Sequence, residues 1–159
     1  RPWAMRPHSV RGWWPVPSAC SPLSRATYCT GSSSAPSTRS CVVNAGMLRH
    51  PLADVEVVGL VAAGGTRKLR NLRVDPTATI VARAGWDWAA VEGTADIIGP
   101  DDPHPDVDAE SLRLLLRDIF RAASGTHDDW DTYDKVMVQE RRAAVFITPR
   151  RAYGNSQTG

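Results

Sequence analysis

The chain has 159 residues, 42% of them hydrophobic and 23% charged, with a formal net charge of +2. That length fits one domain, and no window holds the ~18 consecutive apolar residues of a membrane span. Three cysteines without CxxC or Cys/His spacing argue against a disulfide scaffold and a structural zinc site, and with no signal peptide recognised a cytoplasmic protein is expected.

The charges are sorted along the chain. The first acidic residue is Asp54, and all 17 Asp and Glu lie at or beyond it. Residues 1–53 carry six arginines, no lysine, all three cysteines, nine serines and seven of the 12 prolines. Three readings compete for this segment. Clustered arginines attract phosphates and could bind nucleic acid or a membrane surface, but these are widely spaced and follow no helical period. A Ser/Pro-rich extension is the second reading, although Trp3, Trp13 and Trp14 are unusual in one. The third, favoured here, is a GC-rich coding region read in a wrong frame or from a wrong start, which yields Arg, Pro, Ser, Cys and Trp without pattern. All three predict no independently stable core in residues 1–50, and the segment 1–53 is expected to be disordered. They place a single folded domain over 54–155.

From Asp54 the pattern becomes regular. Val55 to Ala63 is β-branched and predicts a strand closed by Gly64-Gly65. Thr66 is a plausible N-cap for a short helix over Arg67 to Val74, stopped before Asp75-Pro76. Thr77 to Ala84 and Trp86 to Ile98 predict two strands separated by Gly85. Leu112, Leu115, Leu116, Ile119 and Phe120 form the apolar stripe of a helix running from Asp108 or Ala109 to about Ala123. A further helix opens near Thr126 and Asp128, and Ala143 to Thr148 is the last strand. Short turns between strands favour a small antiparallel barrel with helices packed outside.

The segment Gly64 to Leu72 is the strongest site candidate. A glycine pair permits a close turn, a helix start presents unpaired N–H groups, and Arg67 and Lys68 add charge there, which together can hold a phosphate. The alternative is a solvated basic helix face, and no P-loop spacing is present. His104 among Asp101, Asp102, Asp106 and Asp108 reads as an ordinary loop with a cap rather than a metal site. His127 beside Asp128 and Asp129 lies at a helix start, where capping is the simpler role. Trp86 and Trp88 share a strand face and could stack on a planar cofactor, or cover a core or subunit interface. No side chain reads as a catalytic nucleophile.

Taken together, several motifs resemble one family. They are Gly65-Thr66-Arg67-Lys68-Leu69-Arg70-Asn71-Leu72 with Asp75-Pro76, then Trp88, Val91-Glu92-Gly93 and Ala95, and Ile98-Gly99-Pro100-Asp101-Asp102-Pro103. Gly125 to Trp130, Thr148-Pro149 and Tyr153-Gly154 complete the set. The stretch from Asp54 to Asn155 resembles the split β-barrel proteins of the pyridoxamine 5′-phosphate oxidase superfamily, more narrowly the flavin/deazaflavin oxidoreductases that use coenzyme F420. The resemblance implies a mainly β, α+β split barrel of the FMN-binding kind. It implies a homodimer with the cofactor, coenzyme F420 or alternatively FMN, in a groove between subunits. It places cofactor-binding residues at Thr66, Arg67, Lys68, Asn71 and Trp88, with no catalytic residue and no metal. It implies hydride transfer between the reduced deazaflavin and an unknown conjugated small molecule. Family members begin with a helix and two or three strands, which residues 1–53 do not show. The N-terminal strands are therefore expected to be missing, and a non-catalytic remnant of the fold is the alternative reading.

Overall fold

In the computed structural model, residues 26–30, 39–84 and 86–155 are described. Seven strands and three helices follow in the order β1 (Ala26–Thr30), β2 (Arg39–Val43), β3 (Ala45–Arg49), β4 (Glu56–Ala62), α1 (Arg67–Val74), β5 (Thr77–Ala84), β6 (Asp87–Ile98), α2 (Ala109–Ala122), α3 (Trp130–Gln139) and β7 (Ala143–Gly154). The strands form one antiparallel sheet in the order β2-β1-β5-β6-β7-β4-β3. The mainly β, α+β class expected from the sequence is the class observed.

The sheet closes on itself for a reason visible in its connectivity. Seven flat strands span about 29 Å from edge to edge. Yet β2 is one edge, β3 is the other, and Asn44 alone separates them in the chain. One intervening residue reaches at most about 7 Å between flanking Cα atoms, so the sheet must curl until its edges meet.

Strand periodicity then sorts the core into two layers. On β4, Val58, Leu60 and Ala62 face the barrel interior, where they meet Ala143, Val145 and Ile147 of β7 and Ile80, Val91 and Ala95. The intervening positions face outward: Val57, Ala144 and Phe146 pack beneath Leu115, Leu116 and Ile119 of α2. The leucine stripe read from the sequence is thus the face α2 lays on the barrel, and Leu69 and Leu72 of α1 join the interior layer. Where α2 ends it approaches β3 so closely that a Cβ on Gly46 would lie 2.2 Å from the carbonyl carbon of Ala122.

One expectation is corrected. Three strands lie before Asp54, where none was expected, and Asp54 falls in the loop between β3 and β4 rather than at the edge of the sheet. Each of these strands has five residues, too few for a period-2 pattern to stand out. They are held by main-chain ladders to β5 and β4, in which the residue type matters little. The expectation of disorder over 1–25 and 31–38 lies outside the described residues. Downstream, β7 runs on to Gly154, well past Thr148. Its extension pairs with Ala89 to Glu92 of β6 across a register shift at Glu92/Gly93. α3 begins at Trp130, later than Thr126 or Asp128, with Asp129 accepting from the Thr132 N–H at 3.0 Å as its cap.

Candidate functional site

The turn before α1 is built by two glycines with different duties. Gly65 has φ +69°, the left-handed region that favours glycine. Gly64 is tight instead: its N–H donates to the Glu140 carbonyl at 2.9 Å, and a Cβ there would lie 2.7 Å from the Cβ of Arg141. Together they deliver the chain into α1 with Thr66 at the N-cap.

Thr66 does not cap the helix with its side chain. Its Oγ1 donates backward to the Ala63 carbonyl at 2.9 Å, and its own carbonyl accepts the Arg70 N–H at 3.2 Å. The N–H groups of Arg67, Lys68 and Leu69 therefore open the helix without a side-chain acceptor from the cap, and no acidic residue stands in the first turn. A helix start with partial positive charge and two added cations is electrostatically complementary to an anion.

Thr66 and Lys68 line an open cavity of ≈ 430 Å³. Its walls come from the β2–β3 junction at Val43 and Asn44, the end of β4 at Ala62, and Phe120, Tyr133 and Arg142 beside α2 and α3. The mixture of aromatic wall and cationic rim suits a ligand with a planar body and an anionic end. Burial pushes the Tyr133 hydroxyl up to about 12, so it stays protonated and donates to the Leu116 carbonyl at 3.1 Å. It is a fixed wall rather than a proton donor to a ligand. Arg142 is held by Glu140, with Nε donating to Oε2 at 2.7 Å.

The sequence-predicted residues are only partly brought together. Thr66 and Lys68 share the cavity. Arg67 is exposed beside them, and Asn71 is half-buried one helical turn on, on the same α1 face as Arg67 and Lys68 by helical spacing. Trp88 is elsewhere. It sits at the start of β6, ten residues from Ile98, the end of that strand that pairs with Ala144 near the end of β4. Trp88 is not among the residues lining the cavity. At the start of β6 the Trp88 ring packs edge to face on Tyr153, with ring centroids 6.0 Å apart, and the Trp88 main-chain N–H donates to Asn155 Oδ1 at 2.7 Å. Asn44, Phe120, Tyr133 and Arg142 were not singled out as site residues. Phe120 belongs to the apolar stripe read from the sequence, and nothing in local spacing connects it or Tyr133 to Thr66.

The other candidate loops resolve into structural roles. Asp108 caps α2 by accepting the Ser111 N–H at 2.7 Å. Asp102 takes a bidentate pair from Arg73, and Asp101 binds Arg141. His127 Nδ1 accepts the Asp129 N–H at 3.1 Å, and its ring packs against Phe120, Trp130 and Tyr133. No cluster of three or more metal-ligating side chains occurs among the described residues. No described helix is long and apolar enough to cross a membrane.

No protein-family model matches the sequence. Solved structures do match the fold. A conserved hypothetical protein from Mycobacterium tuberculosis aligns with a TM-score of 0.58 at 16% identity, over 82% of this chain and 75% of that one. A pyridoxamine 5′-phosphate oxidase-related, FMN-binding protein from Nostoc punctiforme gives 0.55 at 12%, over 83% and 74%. An F420 reductase gives 0.53 at 13%, over 83% and 90%. The closed antiparallel sheet with its external helices is therefore the split β-barrel fold of pyridoxamine 5′-phosphate oxidase-like proteins.

Proposed function

We propose that the chain binds a phosphate-bearing flavin-type cofactor, coenzyme F420 or FMN, and serves as an oxidoreductase on a small conjugated molecule. The observation that carries this reading is the coincidence of the open α1 N-terminus, Thr66 and Lys68 on the rim of one aromatic-walled cavity. The similarity of fold to an FMN-binding protein and to an F420 reductase supports the same ligand class.

The residues fit such a group. The N–H groups of Arg67 to Leu69 and the charges of Arg67 and Lys68 would hold the phosphate, while Asn71 lies one turn further along the same face. When bound, a flavin or deazaflavin supplies hydride transfer. The chain's own contribution is binding, orientation and exclusion of water by the aromatic and aliphatic wall. Trp88 is not among the residues that line this cavity. Its predicted role is in a homodimer, where the partner subunit would bring its copy across the groove. Between the two ligands, phosphate recognition does not discriminate, since both carry one.

The test is a fluorescence titration of the full chain with coenzyme F420 and FMN, and with riboflavin as the phosphate-free comparator. Arg67→Ala and Lys68→Ala are each expected to weaken FMN by roughly tenfold, the worth of one charge-assisted contact. Their effect on riboflavin should be small. If neither substitution changes FMN affinity, the phosphate assignment is wrong. Cofactor binding with no reduction of any conjugated acceptor would instead support a binding protein without turnover.

A further inference from the structure

Both ends of α1 are tied to one dipeptide. At the C-terminal end, Arg73 Nε and Nη2 donate to Oδ1 and Oδ2 of Asp102 at 2.8 and 2.7 Å. At the N-terminal end, the Gly64 turn rests on the Glu140 carbonyl and on the Arg141 Cβ, and Arg141 donates to Asp101. The two aspartates are themselves fixed. Gly99 and Asp102 exchange both main-chain hydrogen bonds at 3.0 Å. The turn is seated on β7, since a Cβ on Gly99 would lie 2.6 Å from the Cβ of Ala143.

An eight-residue helix has little stability of its own. Leu69 and Leu72 fix which face α1 buries, and directional contacts at its two ends restrict its slide and tilt further. The bidentate Arg73–Asp102 pair restricts both, because a guanidinium fork accepts a carboxylate in one plane. The Arg141–Asp101 pair holds the element against which the opening turn is packed. These groups also perturb one another in the expected sense: the hydrogen bond to Asp102 raises Arg73, and the hydrogen bond from Arg141 holds Asp101 below the usual carboxylate range.

The geometry points to Asp101 and Asp102 as positioning residues that set the aim of α1 and thereby the affinity for a phosphate-bearing ligand, without touching that ligand. This inference rests on the cofactor reading above. It assigns a role to the Ile98-Gly99-Pro100-Asp101-Asp102-Pro103 turn that its capping and loop chemistry alone did not supply.

The experiment uses the full chain with FMN and riboflavin as the two ligands. Asp102→Asn is expected to weaken FMN about fivefold, in line with loss of a well-formed, partly exposed ion pair, and to leave riboflavin within twofold. Asp102→Glu, which keeps a carboxylate, is expected to recover part of the loss. Asp101→Asn, at a more exposed pair, provides a second variant in case Asp102→Asn does not fold, with a smaller change in the same direction. Equal weakening of FMN and riboflavin would mean a merely structural turn and overturn the proposal. So would unchanged FMN affinity in both aspartate variants when Lys68→Ala weakens it, and the cofactor reading would then stand alone. A wild-type chain that binds FMN no better than riboflavin would remove the cofactor reading and this proposal with it.

Discussion

The guanidinium of Arg121 lies over the indole of Trp130, with its central carbon 4.5 Å from the ring centroid. Arg117 approaches the same ring at 5.1 Å. Phe120 and Tyr133 meet that indole edge-on at 6.1 and 5.4 Å. One half-buried tryptophan at the start of α3 thus fastens α3 to α2 through aromatic and cation–π contacts. Trp130→Ala removes the aromatic contacts and both cation–π contacts, and is expected to cost about 2–3 kcal/mol, below the range for a fully buried tryptophan. Urea unfolding measures this, and the loss should be larger than for Trp86→Ala, whose side chain is 90% exposed.

Asp134 joins the same two helices through charge. It accepts from Arg113 at 2.8 Å and from Arg117 Nε at 2.9 Å, and the Arg117 hydrogen bonds hold its carboxyl below the usual range. The carboxylate therefore contributes stability that is present above its ordinary pKa and lost as pH falls through the depressed folded value. Asp134→Ala leaves Arg117, only 15% exposed, without its main partner. The expected cost is about 1–3 kcal/mol near neutral pH. Unfolding curves should also show that the variant loses less stability on acidification than the parent.

His50 behaves in the opposite chemical sense. Its ring packs edge to face on Phe146, with centroids 5.1 Å apart, and its Nδ1 accepts the Leu52 N–H at 3.1 Å. Among the described residues its buried Nε2 has no hydrogen-bond partner. Burial lowers its pKa below 6.5, Asp96 at 3.8 Å offsets this in part, and His104 adds to the lowering. Because the folded state resists the proton that the unfolded state accepts near pH 6.5, stability should fall as pH drops from about 7 toward 5. His50→Gln should flatten that slope. An unchanged slope in the variant would assign the acid sensitivity to the carboxylates instead.

Two glycines separate backbone strain from steric collision. Gly65→Ala places a Cβ in open space at φ +69°, so only the left-handed conformation is penalised, by about 1 kcal/mol. Gly46→Ala drives a Cβ to within 2.2 Å of the Ala122 carbonyl carbon, and must push the end of α2 off β3 at a cost of about 2–3 kcal/mol. Thermal melts of the two variants should rank in that order.

Where the sequence could be read, one local period decided the outcome. α1 and β5 have the residues that their caps and alternation predict, because Gly64-Gly65, Asp75-Pro76 and Gly85 punctuate them. β7 was read short because Pro149, Arg150 and Arg151 look like a strand end. They continue instead as exposed positions of a two-stranded arm with β6, where no core face is needed. β2 and β3 were not legible for a related reason, since five residues of ladder leave almost no pattern. The site divides the same way. Thr66 and Lys68 follow from chemistry adjacent in sequence, whereas Asn44, Phe120 and Arg142 join them only through the closure of the sheet.

Asn44 gives that closure a mechanical character. The two edge strands are covalently continuous through this one joint, so the sheet cannot part there without breaking the chain. The same joint is a wall of the cavity lined by Thr66 and Lys68. Extra residues inserted beside Asn44 would lengthen that link and loosen the cavity wall at the point where the chain itself holds it.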